Sequence, residues 1–149
     1  MIYDRTEQDV IDAVKIREEK VKNGISLTDG EKQKLERGFC GVDTLNRIEQ
    51  KQLEIAINLS AAGYKSARVH IKRWNDFNFA FASELKRIAD NNRSLRESFY
   101  VLSETPENAV GKYHYEDFNK LEKVLNDLEV VYNGMVSLYK ECGDAESGD

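Results

Sequence analysis

Between Phe118 and Tyr139 the apolar side chains Phe118, Leu121, Leu125, Leu128, Tyr132, Met135 and Tyr139 recur at alternating steps of three and four residues. That period sets all of them on one stripe of an α-helix, since a half-buried strand would need a period of two. At ~1.5 Å per residue the stripe is roughly 33 Å long. A chain carrying it must cover it with its own helices or offer it to another chain. The expected fold is therefore all-α, a helical bundle with a long C-terminal heptad-patterned helix. Both uses of the stripe stay open, as intramolecular core face or as intermolecular seam. Leu128, Tyr132, Met135 and Tyr139, toward its end, are the candidate interface residues.

The rest of the chain permits this reading, because a single proline and nine glycines among 149 residues leave long stretches free to be helical. Thr6-Glu7-Gln8-Asp9 reads as a capping box, and Val10, Val14, Arg17 and Val21 follow at helical spacing, predicting a helix over 6–23 that Gly24 ends. Thr28-Asp29-Gly30-Glu31 is a second capping box for a short helix to Arg37 with Leu35 as its one apolar anchor. After the turn Gly38-Phe39-Cys40-Gly41, Asp43 or Thr44 is expected to cap a strong helix carrying Leu45, Ile48, Ile55 and Leu59, which Gly63 stops. Residues 64–76 break the helical period and read as a short strand or extended linker. Leu85, Ile88, Asn92, Leu95 and Phe99 predict a fourth helix over 83–101, capped by Ser83 and closed by the turn at Pro106. Asp117 is the expected cap of the last helix. This divides the chain into an N-terminal helical region 1–63, a linker 64–76, a C-terminal helical region 77–141 and a disordered acidic tail 142–149.

Three of these helices begin alike. Val42-Asp43-Thr44-Leu45-Asn46-Arg47-Ile48-Glu49 aligns with Tyr115-Glu116-Asp117-Phe118-Asn119-Lys120-Leu121-Glu122, and more loosely with Ala82-Ser83-Glu84-Leu85-Lys86-Arg87-Ile88-Ala89. The shared pattern supplies a polar cap and a first apolar anchor. It also sets Asp43 with Arg47 and Glu116 with Lys120 as acid-to-base pairs one turn apart. Any amphipathic helix start can look this way, so the alignment alone specifies no chemistry.

Charge is uneven. The net value of −5 combines eight Lys/Arg against four Asp/Glu over residues 63–98 with four against eleven over 102–149. Opposite signs in one chain can steer a partner, or steer copies of the chain toward each other. The basic stretch holds the rival function: Tyr64, Lys65, Arg68, His70, Lys72, Arg73 and Trp74 mix phosphate-seeking cations with stacking aromatics and could bind single-stranded nucleic acid. Against it stands a structural reading in which Trp74 anchors a solvated linker to the core. The acidic remainder of the chain disfavours nucleic acid.

Enzyme signatures are absent. No Gly-x-Gly-x-x-Gly, phosphate-binding Gly-Lys-Ser/Thr, Gly-x-Ser-x-Gly or His-Glu-x-x-His occurs, and neither His70 nor His114 follows a Glu at the spacing of a carboxylate-bridged metal pair. Cys40 and Cys142 are too few for a disulfide scaffold and have no zinc-site spacing, so they are expected to be reduced, structural thiols. No catalytic residue, metal site or cofactor is expected. No apolar run is long enough to span a membrane, and Met1-Ile2-Tyr3-Asp4-Arg5 lacks the order of a secretory signal, so a soluble protein made in a cytoplasm is expected.

One ordered series of residues carries a resemblance. Asp4-Arg5-Thr6-x-x-Asp9-Val10, two helices, a Gly-aromatic turn and Asp43-x-Leu45-Asn46-Arg47-Ile48-Glu49 resemble the N-terminal region of tail and baseplate proteins of phages and prophages of Gram-positive hosts. Trp74-Asn75-Asp76, Ser83-Glu84-Leu85-Lys86-Arg87-Ile88, Asn91-Asn92, Phe99-Tyr100, Thr105-Pro106-Glu107 and Asp117-Phe118-Asn119-x-x-Glu122 extend it over most of residues 3–135. The chain departs from that pattern in the turn, where Cys40-Gly41 replace an aromatic-Asn pair. The resemblance implies a non-enzymatic structural or adaptor protein of a phage tail or baseplate, assembled in the host cytoplasm and located in the virion. Its implied partners are other tail proteins and copies of itself, with a trimer favoured because fibres of that family commonly sit on three-fold axes.

Overall fold

In this computed structural model, residues 1–64, 68–75, 82–107 and 114–147 are described. The chain is all-helical, 71% of it in helices, with no strand among the described residues. α1 (Glu7–Ile16) continues through a π-helical turn (Arg17–Val21) and is followed by α2 (Asp29–Gly38), α3 (Val42–Ala61), α4 (Ala82–Ser98) and α5 (Tyr115–Ser147). Residues 68–75 run as extended chain without pairing, in the place read as a linker or short strand.

The helices start where local chemistry satisfies their first N–H groups. Thr6 caps α1 in a full capping box with Asp9, and Thr28 caps α2 by accepting from the Glu31 N–H. The expected caps of the other three helices are displaced. Gly41 precedes α3 with no side-chain bond, leaving Asp43 exposed in the first turn and Thr44 buried with its hydroxyl unpartnered among the described residues. Ser83 lies inside α4, which begins at Ala82. Asp117 acts from inside α5, its Oδ2 accepting the His114 N–H at 3.0 Å, so it supplies the returning half of a capping box. Gly63, at φ 86°, follows the end of α3 in the left-handed conformation glycine adopts without penalty.

α3, α4 and α5 form the bundle, each packing on the other two. Its core is Leu45, Ile48, Ile55 and Leu59 from α3, Ile88, Ala89 and Leu95 from α4, and Phe118, Leu121, Val124, Leu125 and Leu128 from α5, with Trp74 inserted from the extended segment. The N-terminal and C-terminal helical regions read from the sequence thus share a single core. A polar seam crosses it. Gln52 donates to Ile88 C=O at 2.9 Å and Asn92 Oδ1 at 2.7 Å, Asn91 donates to Gln52 Oε1 at 3.0 Å, and Asn92 donates to Leu121 C=O at 2.9 Å. Each bond joins two different helices, α3 to α4 or α4 to α5, so the seam holds the register of all three.

α1 and α2 form a hairpin that packs on itself, and neither has an extensive packing face on α3, α4 or α5. Ala13 is its only buried apolar residue, pressed so closely by Gly38 that a Cβ there would fall 2.3 Å from Ala13 Cβ. Ile11, Val14, Val21 and Ile25 are exposed on the hairpin.

Candidate functional site

The predicted stripe of α5 divides in two. Phe118, Leu121, Leu125 and Leu128 are core residues, so Leu128, expected at an interface, is fully buried inside the bundle. From Glu129 to Lys140 no residue of α5 is buried, because only the C-terminal ends of α3 and α4, with Tyr64 and Phe99, flank this part of the helix. Tyr132 and Met135 are half-buried and Tyr139 is 72% exposed. These three, with Val136, continue the core face outward as an apolar strip. Tyr64 and Met135 border a groove of about 520 Å³ that Ala62, Val136, Tyr139 and Lys140 complete.

Tyr64, assigned by sequence to a nucleic-acid patch, belongs to this end of the bundle. Its hydroxyl donates to Met135 Sδ at 3.1 Å, and its ring meets Phe99 edge-on at 4.8 Å, with Phe99 in turn 6.4 Å from Tyr132. The other patch residues are dispersed. Trp74 is buried, and its indole N–H donates to Glu49 Oε2, which removes the ring from any stacking role. Lys72 is held by Glu84 at 2.5 Å and lies over the Trp74 ring at 4.4 Å. Arg68, His70 and Arg73 are exposed, and Lys65 lies outside the described residues. The segment is therefore fastened down along α3 and α4, the arrangement expected of a linker anchored by Trp74.

The fastening follows a rule that the sequence alignment marked without explaining. Asn46 closes two hydrogen bonds on the main chain of Trp74, accepting its N–H at 2.8 Å and donating to its C=O at 3.0 Å. One turn along α3, Glu49 accepts the Trp74 indole N–H, the Lys72 main-chain N–H at 3.2 Å and Arg87 of α4. The aligned residues of α5 repeat this on the chain's first residues. Asn119 accepts the Arg5 N–H at 3.0 Å and donates to its C=O at 2.9 Å. Glu122 then accepts Arg5 Nη2 at 3.0 Å, Arg47 Nη2 of α3 at 2.8 Å and the Ile2 main-chain N–H. Each station thus combines an Asn that grips one residue's main chain and a fully desolvated Glu. That Glu takes the same residue's side chain, an upstream N–H and an arginine from the neighbouring helix. The aligned start of α4 has Lys86 and Ala89 in these places, so it lacks the amide and carboxylate side chains that build a station.

These contacts also explain why the expected Asp43–Arg47 pair does not form. Arg47 turns to Glu122, where burial of the carboxylate strengthens a charge-assisted bond, and to the partly exposed Glu36 of α2. Burial raises the Cys40 thiol to about 11, so it is held protonated near neutrality, while Cys142 is exposed. Among the described residues no cluster of three His, Cys, Asp or Glu is placed to hold a metal, and no helix is long and apolar enough to cross a membrane.

A scan against protein-family models, a search of the curated proteins and a search of the solved structures each find no match.

Proposed function

We propose that this chain is a non-enzymatic structural adaptor that works by helix packing, with the outer end of α5 as its docking face. One observation carries the reading: α5 keeps its apolar face where the bundle covers it only along one edge, so that Tyr139 and Val136 stand 72% and 39% exposed. An adaptor needs a rigid body and an uncovered helical face, and this chain has both. The setting in a phage tail or baseplate, among other tail proteins, rests on the resemblance of the residue series described above. A homo-oligomer, with a trimer as the favoured count, fits a heptad face shared between copies.

The double substitution Met135→Glu with Tyr139→Lys tests the docking face. Light scattering is expected to show the wild-type chain associating as concentration rises and the variant remaining smaller. Circular dichroism should give the two the same helix content, because neither side chain lies in the core. A wild-type chain that stays monomeric at high concentration and finds no partner among virion proteins would overturn the proposal.

A further inference from the structure

The Asn119–Glu122 station points to a second way for copies of this chain to join. We infer that it is a docking site for an extended segment carrying an arginine, filled within one chain by residues 2–5 and between chains by the same residues of a second copy. The inference does not depend on the end of α5.

Three observations support it. First, the station reads features that any copy of the segment carries: both main-chain groups of Arg5, its guanidinium and the N–H of Ile2. Second, among the described residues, the hydrogen bonds and ion pairs joining residues 1–38 to the bundle all converge on Asn119, Glu122 and Arg47. The α1–α2 hairpin adds no extensive helix-packing face of its own. Met1 and Cys40 add apolar contacts with the core, so the first 38 residues, joined to α3 through Phe39-Cys40-Gly41, are the unit that would have to re-form those contacts together with these bonds on another bundle. Third, the station cannot stand empty. Glu122 is 0% exposed, and departure of the strap would leave it with Arg47 as its remaining charge partner while Arg5 lost its own. Leaving is costly, whereas replacing one strap by an identical one is neutral in contacts, which is the condition for reciprocal exchange between protomers.

The test uses full-length chains in a Cys40→Ala, Cys142→Ser background. One form carries Tyr3→Cys, chosen because Lys123 Nζ lies 5.3 Å from the Tyr3 ring, and the other carries Lys123→Cys. The two are mixed, unfolded and refolded together at high concentration, and treated with a short bismaleimide. A parallel mixture pairs Tyr3→Cys with Ser137→Cys on the exposed end of α5, which reports collision and end-to-end association. Exchange is expected to give covalent heterodimer in the first mixture on the order of tenfold above the second, because a seated strap holds the thiols at millimolar effective concentration. Equal yields in the two mixtures would overturn the inference. Repeating both in the Met135→Glu, Tyr139→Lys background keeps the result separate from the fate of the α5 docking face, since exchange predicts an unchanged first yield.

Discussion

Single side chains decide how the hairpin closes and how it responds to acid. Asp9 is held ionised down to about 2, chiefly by its hydrogen bonds to Arg37, whose guanidinium spans Asp9 and Asp4. Its folded value lies below the ordinary 3.8, so its contribution is complete above about pH 4 and is lost as pH falls toward 2. Both side chains are partly solvated, which limits the contribution to about 1 kcal/mol. Asp9→Asn is expected to lower stability near neutrality by that amount and to flatten the acid limb between pH 4 and 2, as read by urea unfolding across that range. The sequence shows Asp9 as part of a capping box. Its second role is hidden because Arg37 is distant in the chain and nothing local ties the two together.

At the scale of helices, the existence and order of all five follow from periodicity, the expected caps hold at α1 and α2, and the inner half of the α5 stripe is core as one of its two readings required. Leu125 and Leu128 are both fully buried, so Leu125→Ala or Leu128→Ala is expected to cost about 2–5 kcal/mol, because the rigid bundle cannot collapse into the void. Chemical denaturation checks this, with an unchanged midpoint at both sites counting against a packed α5. The helix ends were less legible. Gly41 starts α3 although glycine offers no side-chain cap, and α5 remains helical through Ser147 where a disordered tail was expected from residue 142. The repeated helix start was visible as a pattern, yet its purpose was not. Asn46 and Asn119 look like surface polar residues until extended segments are laid across them, and sequence periodicity does not report which distant segment arrives. Trp74 was legible as one of two readings, a stacking surface or an anchor of the linker to the core, and its core packing with the indole N–H on Glu49 selects the anchor.

For the whole molecule, the bundle and α5 differ in reach. α3 has 20 residues and α5 has 33, lengths of about 30 and 50 Å at ~1.5 Å per residue. In an assembly joined through those projecting ends, α5 acts as a ruler: its length, not the bundle's width, sets the spacing between neighbouring bodies. Seven residues inserted after Asn133 would lengthen that spacing by roughly 10 Å per chain and return the apolar strip to nearly its original direction. Five inserted residues would swing the strip by roughly 140° and abolish association. Small-angle scattering should show the first variant as a longer particle with an unchanged number of subunits and the second as a monomer. A helix that outruns its own bundle thereby turns a count of residues into a distance between proteins.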